Sequence, residues 1–476
     1  MAYTSKDLFK GLVWSGLDKL GFVALQLILE LILARLLLPK DYGVIGIVLV
    51  FISLAVTFSE GGFSNALIHK QDRNETDYST VFYFNIATAV FIYLIIFFTA
   101  PLVERFFKIE DLAAVLRVVS ISIILNASIL VHKAKLSLAL DFKLQAKLSI
   151  LAVVLSGIIG VYLAKENYGV WALVYQNLSM AFFNTVFLWV GYKWFPKELF
   201  SFAALKRLFS FGSKILASAI IQALYFNSYP VLIGRFLGTG NLGLYSKSSQ
   251  FTQMPSSVLT TIVQRVLFPF FSSHQNDNEK IAELNQFYTT ICCLFFFPLF
   301  FIMAAVAEPL VIILFSHTWS AMTPLFVLLC IAYSFYPLIV NNMMMFQIKN
   351  KTSLFLKIEI LTKVIGVVIL LLTIRKGIVA LGYGILAQQI IQFFITSFFV
   401  QSVLRKKMWE QIKVVLPLAL LSLLIYFAAK NIVFFLEVHL IIKVLTGTVF
   451  SIFSFSLIYF VFYRSVFRQL LSMIKK

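Results

Sequence analysis

Polar side chains form stripes along two of the apolar segments of this chain. The second segment carries Ser53, Thr57, Glu60 and Ser64, and the eighth carries Ser246, Gln250, Gln253, Ser257, Thr260 and Gln264. Steps of three and four residues place each set on one face of a helix. Amides and hydroxyls in a hydrocarbon environment must face other polar groups or water. The pattern therefore predicts a water-filled path lined by these groups, and the alternative is hydrogen bonding across tightly packed helices.

Ionisable and amide side chains also lie at expected membrane depth in other segments. They are Asp18, Lys19, Gln26, Glu30, Arg117, Gln222 and Lys247. Placing a charge at the centre of a membrane helix costs roughly 3 kcal/mol, so such residues are functional candidates. On the first segment, Lys19, Gln26 and Glu30 follow nearly one line. Glu359 and Lys363 are four residues apart and have a simpler interpretation, because they can neutralise each other.

The sequence lacks the motifs of the common enzyme classes. GxxxxGK[ST], HExxH, GxSxG and DxD patterns are absent, and the five histidines are scattered over loops and helix ends. Cys292, Cys293 and Cys330 lie in apolar runs without CxxC spacing, which favours inert buried thiols. We therefore expect no metal, no cofactor and no disulfide, and a protein that is not an enzyme.

The composition of the chain defines the surroundings of these residues. Of 476 residues, 13% are charged and 60% are hydrophobic, whereas about a quarter of a soluble protein is charged. Lipid must therefore be the solvent for most of the exterior. The net charge of +19 could suggest nucleic acid, but the basic residues recur in short gaps between apolar runs. That distribution is typical of loops that orient a membrane protein, so no nucleic-acid partner is expected.

Apolar stretches long enough to span a bilayer of about 30 Å as helices recur about fourteen times. They centre on Leu25, Phe51, Phe91, Ile123, Val154, Phe182, Ala223, Val258, Phe296, Tyr333, Val367, Ile390, Leu423 and Phe453. If the N-terminus lies inside, the inner loops and tails carry roughly three times as many Lys and Arg residues as the outer loops. Both termini are thus predicted to be cytoplasmic. The N-terminal segment lacks the features of a cleaved signal peptide.

An internal repeat relates two parts of the chain. The matches are Arg35, Leu36, Tyr42 and Gly43 with Arg235, Phe236, Leu242 and Gly243, and residues 100–103 with residues 308–311. A repeat of six helices predicts an all-α membrane protein with two lobes of the same orientation, related by an axis along the membrane normal, and a cleft between them. We expect an N-terminal lobe at 1–192, a cytoplasmic interfacial linker helix at 193–214 and a C-terminal lobe at 215–404. An extra helix pair with a basic cytoplasmic tail would follow at 405–476.

Three stretches of the sequence carry a family resemblance. ARLLLPKDYGVIGI at 34–47, FSEGGFSNALIHKQ at 58–71 and EPLVIILFSHTWSAMTPLFVLL at 308–329 resemble the polysaccharide flippases, of the O-antigen and exopolysaccharide type, in the multidrug, oligosaccharidyl-lipid and polysaccharide exporter superfamily. The resemblance implies a two-lobed transporter of the bacterial inner membrane that moves an undecaprenyl-diphosphate-linked oligosaccharide to the outer leaflet, for polysaccharide or lipopolysaccharide biosynthesis. The implied partners are this lipid-linked oligosaccharide and membrane lipid, with a polysaccharide polymerase and export machinery as further candidates.

The resemblance implies the substrate, and the charge and hydrogen-bonding capacity of the polar residues then suggest their roles. Lys19, Lys247 and Arg117 are hypothesised to contact the diphosphate. Hydrogen bonds to sugars are assigned to the polar stripes, comprising Gln26, Gln222, Gln250, Gln253, Ser257, Thr260 and Gln264. Rocking of the two lobes would expose the cleft to each side of the membrane in turn.

The carboxylates Asp18, Glu30 and Glu60 are hypothesised to carry H⁺ or Na⁺ for ion-coupled transport. Two alternatives stay open from the sequence. A drug or small-cation exporter of the same superfamily would favour acidic residues in an apolar cleft, whereas several buried bases occur here. An integral-membrane polymerase or glycosyltransferase generally needs a large outer loop or an acidic motif at a membrane edge, and the loops of this chain are short.

Overall fold

The computed structural model describes residue 21 and residues 24–63, 66–67, 70, 72–139, 141–404 and 408–464. Within these ranges the regular structure is entirely helical, and residues 24–36 form the described part of α1. The helices that follow are α2 (Pro39–Glu60), α3 (Glu75–Phe107), α4 (Leu112–Leu138), α5 (Phe142–Lys165), α6 (Val170–Gly191), α7 (Phe202–Phe236), α8 (Gly238–Ser273), α9 (Asn278–Ala305), α10 (Ala307–Phe315), α11 (Thr323–Tyr333), α12 (Tyr336–Ile348), α13 (Thr352–Ile374), α14 (Ile378–Leu404), α15 (Met408–Phe435) and α16 (Leu440–Phe462). A short 3₁₀ segment, His317–Met322, joins α10 to α11.

Local sequence signals define several helix ends. At the start of α3, the Asn74 side chain accepts a hydrogen bond from the Asp77 N–H, and the Asp77 carboxylate accepts one from the Asn74 N–H, both at 3.0 Å. Asp277 caps α9 by accepting from the Lys280 N–H at 2.9 Å. α2 ends at Gly61, whose φ of 54° lies in the left-handed region that favours glycine.

Ten helical segments among the described residues are long and apolar enough to cross a membrane. They are α2 to α6, α9, the segment His317–Ile348, α14, α15 and α16. α13 falls outside this group because it carries three charged side chains, Lys357, Glu359 and Lys363. The chain is therefore a multi-pass helical membrane protein, and the total of fourteen spans stays a prediction.

Two compact units make up the chain, residues 1–243 and residues 244–476. In the first unit, α3 packs against α4, α5 against α6, and α2 against α7. In the second unit, α9 packs along α15, α13 along α14, and α11 against α14. This division differs from the predicted lobe boundaries because α7 packs on α2 and α3 of the first unit. The predicted extra pair, α15 and α16, packs against α9 inside the second unit.

The first part of the predicted linker helix, residues 193–201, is not helical. The backbone N–H of Glu198 donates to the hydroxyl of Ser79 at 3.2 Å, and the N–H of Ser201 donates to the hydroxyl of Thr80 at 3.1 Å. Side chains of α3 thus satisfy backbone donors that a helix would have paired internally. The helical part of the linker then continues without interruption as α7.

The beginnings of α2 and α8 cross at backbone distance within the first unit. A Cβ atom added to Gly43 would lie 1.8 Å from the carbonyl oxygen of Thr239, and one added to Gly243 would lie 1.8 Å from that of Pro39. Only a residue without a side chain permits such an approach. The glycines at these two positions are therefore required for the crossing.

Candidate functional site

Polar side chains of α2 and α7 meet in the first unit. The Asn227 side-chain amide donates to the Ser53 hydroxyl at 3.0 Å and to the Ala223 carbonyl at 2.8 Å. The hydroxyls of Ser53 and Thr57 also donate to backbone carbonyls of α2, at 2.9 and 2.8 Å. The side chain of Ser53 is exposed, and the exposed Gln222 lies about 140° from Asn227 around α7. Because a polar group exposed along an apolar helix requires water or a polar ligand, this face is a candidate hydrogen-bonding surface.

The carboxylates predicted as ion carriers lie on different helices of the first unit. Glu30, on α1, is half-buried, and its carboxylate interacts electrostatically with the hydroxyl group of Tyr42. Glu60, at the end of α2, is exposed and interacts electrostatically with Lys133 on α4. Sequence reasoning missed this pair, because Lys133 belongs to a run of basic residues that is typical of a cytoplasmic loop. Asp18 lies outside the described residues.

In the second unit, two polar side chains of α8 contact Tyr333. The Gln253 side-chain amide donates to the Tyr333 hydroxyl, and the Ser256 hydroxyl donates to the Tyr333 carbonyl at 3.2 Å. Lys247 is only 3% exposed, and its Nζ donates to Oε1 of Gln250 at 3.2 Å. Among the other members of the stripe, Ser246, Ser257 and Gln264 are half-buried and Thr260 is buried. The structure thus brings Gln253 of the predicted stripe together with a tyrosine that the sequence analysis did not select.

A break between α11 and α12 positions Tyr333. α11 ends at this residue, and α12 begins at Tyr336 with Pro337 in its first turn. Interrupted helices in membrane proteins often carry binding groups, because their irregular backbone is stable only beside protein or water. The available signal in the sequence was Pro337 inside an apolar segment, since proline disfavours helix in the residue before it.

The remaining predicted residues lie apart from these two surfaces. The Arg117 Nε donates to the Phe97 carbonyl at 3.0 Å, and its guanidinium carbon lies 4.5 Å from the centroid of the Phe97 ring. These contacts fasten α4 to α3. Gln26 is half-buried on α1, and Lys19 and Ser64 lie outside the described residues. The expected pairing of two charges on α13 is confirmed by a salt bridge of 2.8 Å between Glu359 and Lys363. All three cysteines are buried and free.

The chemistry of both surfaces is that of neutral hydrogen bonding. Amide and hydroxyl groups of α2, α7 and α8 supply donors and acceptors, and Lys247 adds a buried ammonium group in the second unit. In the part of the chain that the structure describes, no group of His, Cys, Asp and Glu residues is arranged to hold a metal ion. A ligand that carries many hydroxyl groups fits these side chains, because each hydroxyl both donates and accepts.

Comparison with known sequences links this chain to polysaccharide assembly. A family model described as polysaccharide biosynthesis protein matches residues 32–324. The succinoglycan biosynthesis transport protein ExoT of Rhizobium meliloti (strain 1021) is 27% identical over 328 residues, covering 69% of this chain and 66% of that protein. The teichuronic acid biosynthesis protein TuaB of Bacillus subtilis (strain 168) is 26% identical over 336 residues, covering 70% and 69% of the two chains. The match to ExoT therefore spans slightly less than two thirds of its length.

A solved structure shares the fold over nearly the whole chain. The lipid II flippase MurJ in an inward closed conformation superimposes with a TM-score of 0.73 over 94% of this chain and 99% of that one. The two sequences are 14% identical over the matched region. The likeness establishes a common helical architecture.

Proposed function

Because the chain belongs to the polysaccharide biosynthesis protein family, we propose that it is a flippase for an undecaprenyl-diphosphate-linked oligosaccharide. In this proposal it is a transporter and not an enzyme, and its substrate is a lipid-linked saccharide of polysaccharide or lipopolysaccharide biosynthesis. The names of its relatives support this assignment, since one is a succinoglycan biosynthesis transport protein and another a teichuronic acid biosynthesis protein. The shared fold of a lipid II flippase agrees with it.

The observation that carries the proposal is the pair of polar surfaces on otherwise apolar helices. A lipid-linked oligosaccharide has a glycan that needs hydrogen bonds, a diphosphate that needs cations, and a tail that stays in lipid. The amides and hydroxyls of α2, α7 and α8 suit the glycan. Lys247, Lys19 and Arg117 are the proposed diphosphate contacts.

We place the protein in the bacterial inner membrane with both termini in the cytoplasm, on the evidence of the basic inner loops. Transport would proceed by alternating access of two repeated lobes. The reciprocal contacts of Gly43 with Thr239 and of Gly243 with Pro39 support the repeat, because both pairs of equivalent positions are 200 residues apart. Coupling to H⁺ or Na⁺ through Asp18, Glu30 and Glu60 is part of the same proposal.

The test is a flipping assay with purified protein in liposomes that contain an undecaprenyl-diphosphate-linked oligosaccharide with a fluorescent glycan. Wild-type protein should make the inner-leaflet glycan accessible to an external glycosidase. The double variant Lys19→Ala with Lys247→Ala should flip at least about tenfold more slowly, because two cations that hold the diphosphate are lost. Lys376→Ala removes an exposed lysine and should flip at the wild-type rate.

Three results would count against the proposal. Wild-type protein that leaves the glycan protected has no flippase activity toward this class of lipid. Normal flipping by the double variant at equal reconstitution would show that the two lysines do not bind the substrate. Preferential binding of a cationic dye over the lipid diphosphate would favour the drug exporter alternative.

A further inference from the structure

The connector between α6 and α7, residues 192–201, exposes large apolar side chains. It is not helical, and its Phe195 and Leu199 are 58% and 86% exposed. Phe202, in the first turn of α7, is 77% exposed. By contrast, Trp194 is buried in the apolar core of the first unit. The connector therefore packs on the protein through one side and leaves the apolar side chains of its other side uncovered.

Basic side chains alternate with these apolar ones. Lys193 and Lys197 are exposed on the connector, and Lys206 is exposed on α7. Phe202 and Lys206 are four residues apart, so they lie on one face of that helix. We call these exposed side chains together the connector surface, which comprises Lys193, Phe195, Lys197, Leu199, Phe202 and Lys206.

Acidic side chains compensate little of this positive charge. Glu198 is the single acidic residue of the connector. Glu75 of α3 interacts electrostatically with Lys197, but its Oε1 forms a salt bridge of 2.6 Å with Lys135. Its Oε2 accepts a hydrogen bond from the Trp194 Nε1 at 2.9 Å. Both oxygens of Glu75 are thus already bound, and the connector surface keeps a net positive charge.

Contacts with α3 set the depth of the connector in the membrane. α3 has 33 residues and is therefore about 50 Å long, which exceeds the hydrocarbon core by roughly 20 Å. The backbone N–H groups of Glu198 and Ser201 donate to the hydroxyls of Ser79 and Thr80, in the second turn of α3. These hydroxyls lie roughly 6–8 Å along the axis from the start of α3, which is close to the thickness of one headgroup layer. The connector therefore lies at the level of the lipid headgroups.

We propose that the connector surface binds anionic phospholipid. The three lysines contact headgroup phosphates through charge-assisted hydrogen bonds, and the apolar side chains lie among the upper parts of the acyl chains. Charge complementarity selects the headgroup, because a zwitterionic lipid has no net charge to neutralise three ammonium groups. Each lysine near an anionic membrane should strengthen binding roughly fivefold.

This assignment requires only that the chain is a membrane protein, so it does not depend on the proposed transport of lipid-linked saccharide. The experiment measures thermal unfolding of the full chain in detergent with added phosphatidylglycerol, phosphatidylcholine or free glycerol phosphate. Phosphatidylglycerol should raise the Tm in a saturable manner, at a concentration at least about tenfold lower than phosphatidylcholine. The triple variant Lys193→Gln, Lys197→Gln and Lys206→Gln should weaken the apparent affinity for phosphatidylglycerol at least about tenfold.

The matched control removes the same charge from three exposed lysines outside the connector surface. It combines Lys108→Gln, Lys165→Gln and Lys376→Gln, and it should keep the wild-type affinity. Equal losses in the two triple variants would assign the effect to net charge and overturn the proposal. Equal stabilisation by free glycerol phosphate would assign the lysines to soluble phosphate, and it would overturn the proposal as well.

Fluorescence quenching in phosphatidylglycerol vesicles provides a readout that does not depend on unfolding. A fluorophore on Leu199→Cys should be quenched by spin-labelled lipid and protected from iodide present on both sides of the membrane. Asn276→Cys, in the exposed turn between α8 and α9, should show the opposite behaviour. The three native cysteines are buried, so the label reports on the introduced position. Quenching of Leu199→Cys mainly by iodide would show that the connector lies in water, and the proposal would then be wrong.

Discussion

Tyr333 joins two segments that lie far apart in the sequence. Its hydroxyl accepts from Gln253, 80 residues earlier, and its carbonyl accepts from Ser256. Both bonds lie among apolar helices, where an unsatisfied amide or hydroxyl is costly. The pair therefore stabilises the contact of α8 with the end of α11, and it keeps one glutamine of the stripe in a defined orientation.

The coupling of this pair predicts non-additive stability effects. Tyr333→Phe and Gln253→Leu should each lower the free energy of unfolding by about 1 kcal/mol, since each removes the hydrogen bond between these two half-buried side chains. The double variant should lose less than the sum, because both partners are then gone. Unfolding of the purified protein in detergent measures all three. Tyr336→Phe is the control on the neighbouring helix. Strictly additive decreases in the free energy of unfolding would show that Gln253 and Tyr333 do not stabilise the protein through their mutual hydrogen bond.

Lys247 is a predicted substrate-binding residue whose side chain is buried in the second unit. It is 3% exposed and donates to Gln250. A buried ammonium needs compensating hydrogen bonds, so a diphosphate can bind it only by replacing some of them. If Lys247 contacts substrate, the proposed transport cycle must therefore expose it.

At the scale of elements, the crossing of α2 and α8 depends on two glycines. Each brings its Cα against a carbonyl of the other helix, and the two contacts are reciprocal. Gly240 lies on the first turn of α8 beside this crossing, and a Cβ there would meet nothing within 4 Å. α8 thus contains one glycine that alanine can replace without a steric clash, Gly240, and a nearby one that it cannot, Gly243.

This contrast predicts opposite effects of the same substitution. Gly243→Ala should destabilise the protein by about 2 kcal/mol or more, because its Cβ would collide with the backbone of α2. Gly240→Ala should be neutral or stabilise it by up to about 1 kcal/mol through helix propensity. Thermal unfolding in one detergent compares the two directly. Similar Tm values for both variants would argue that the close approach is absent in solution.

At the scale of the whole molecule, the proposed orientation can be tested with single cysteines. Asn276→Cys lies between α8 and α9 on the expected cytoplasmic side, and Glu166→Cys lies between α5 and α6 on the expected outer side. Both positions are exposed, and the three native cysteines are buried. A membrane-impermeant maleimide added to intact spheroplasts should label only Glu166→Cys. After lysis it should label both, and the reverse pattern would invert the topology.

Sequence patterns alone predicted the class of protein, and the cavity-lining role of the polar stripes stays a prediction. Helix periodicity and composition are local properties, so the membrane helices and the stripe from Gln250 to Gln264 followed from spacing alone. The ion pair of Glu359 and Lys363 was predictable for the same reason, because residues four apart meet on one helix face. The family resemblance added the substrate class, and the family comparison supports it.

Only the tertiary structure decided which distant residues meet. Tyr333 accepts a hydrogen bond from Gln253, Lys133 interacts electrostatically with Glu60, and the side chain of Gln411 donates to that of Asn285. Each of these contacts joins two helices that no local pattern relates. Residues 193–201 are not helical as predicted. Backbone N–H groups of this segment donate to the hydroxyls of Ser79 and Thr80 on α3 instead of to carbonyls within a helix. Such contacts depend on how whole helices pack together. The spacing of residues within one segment does not predict that packing.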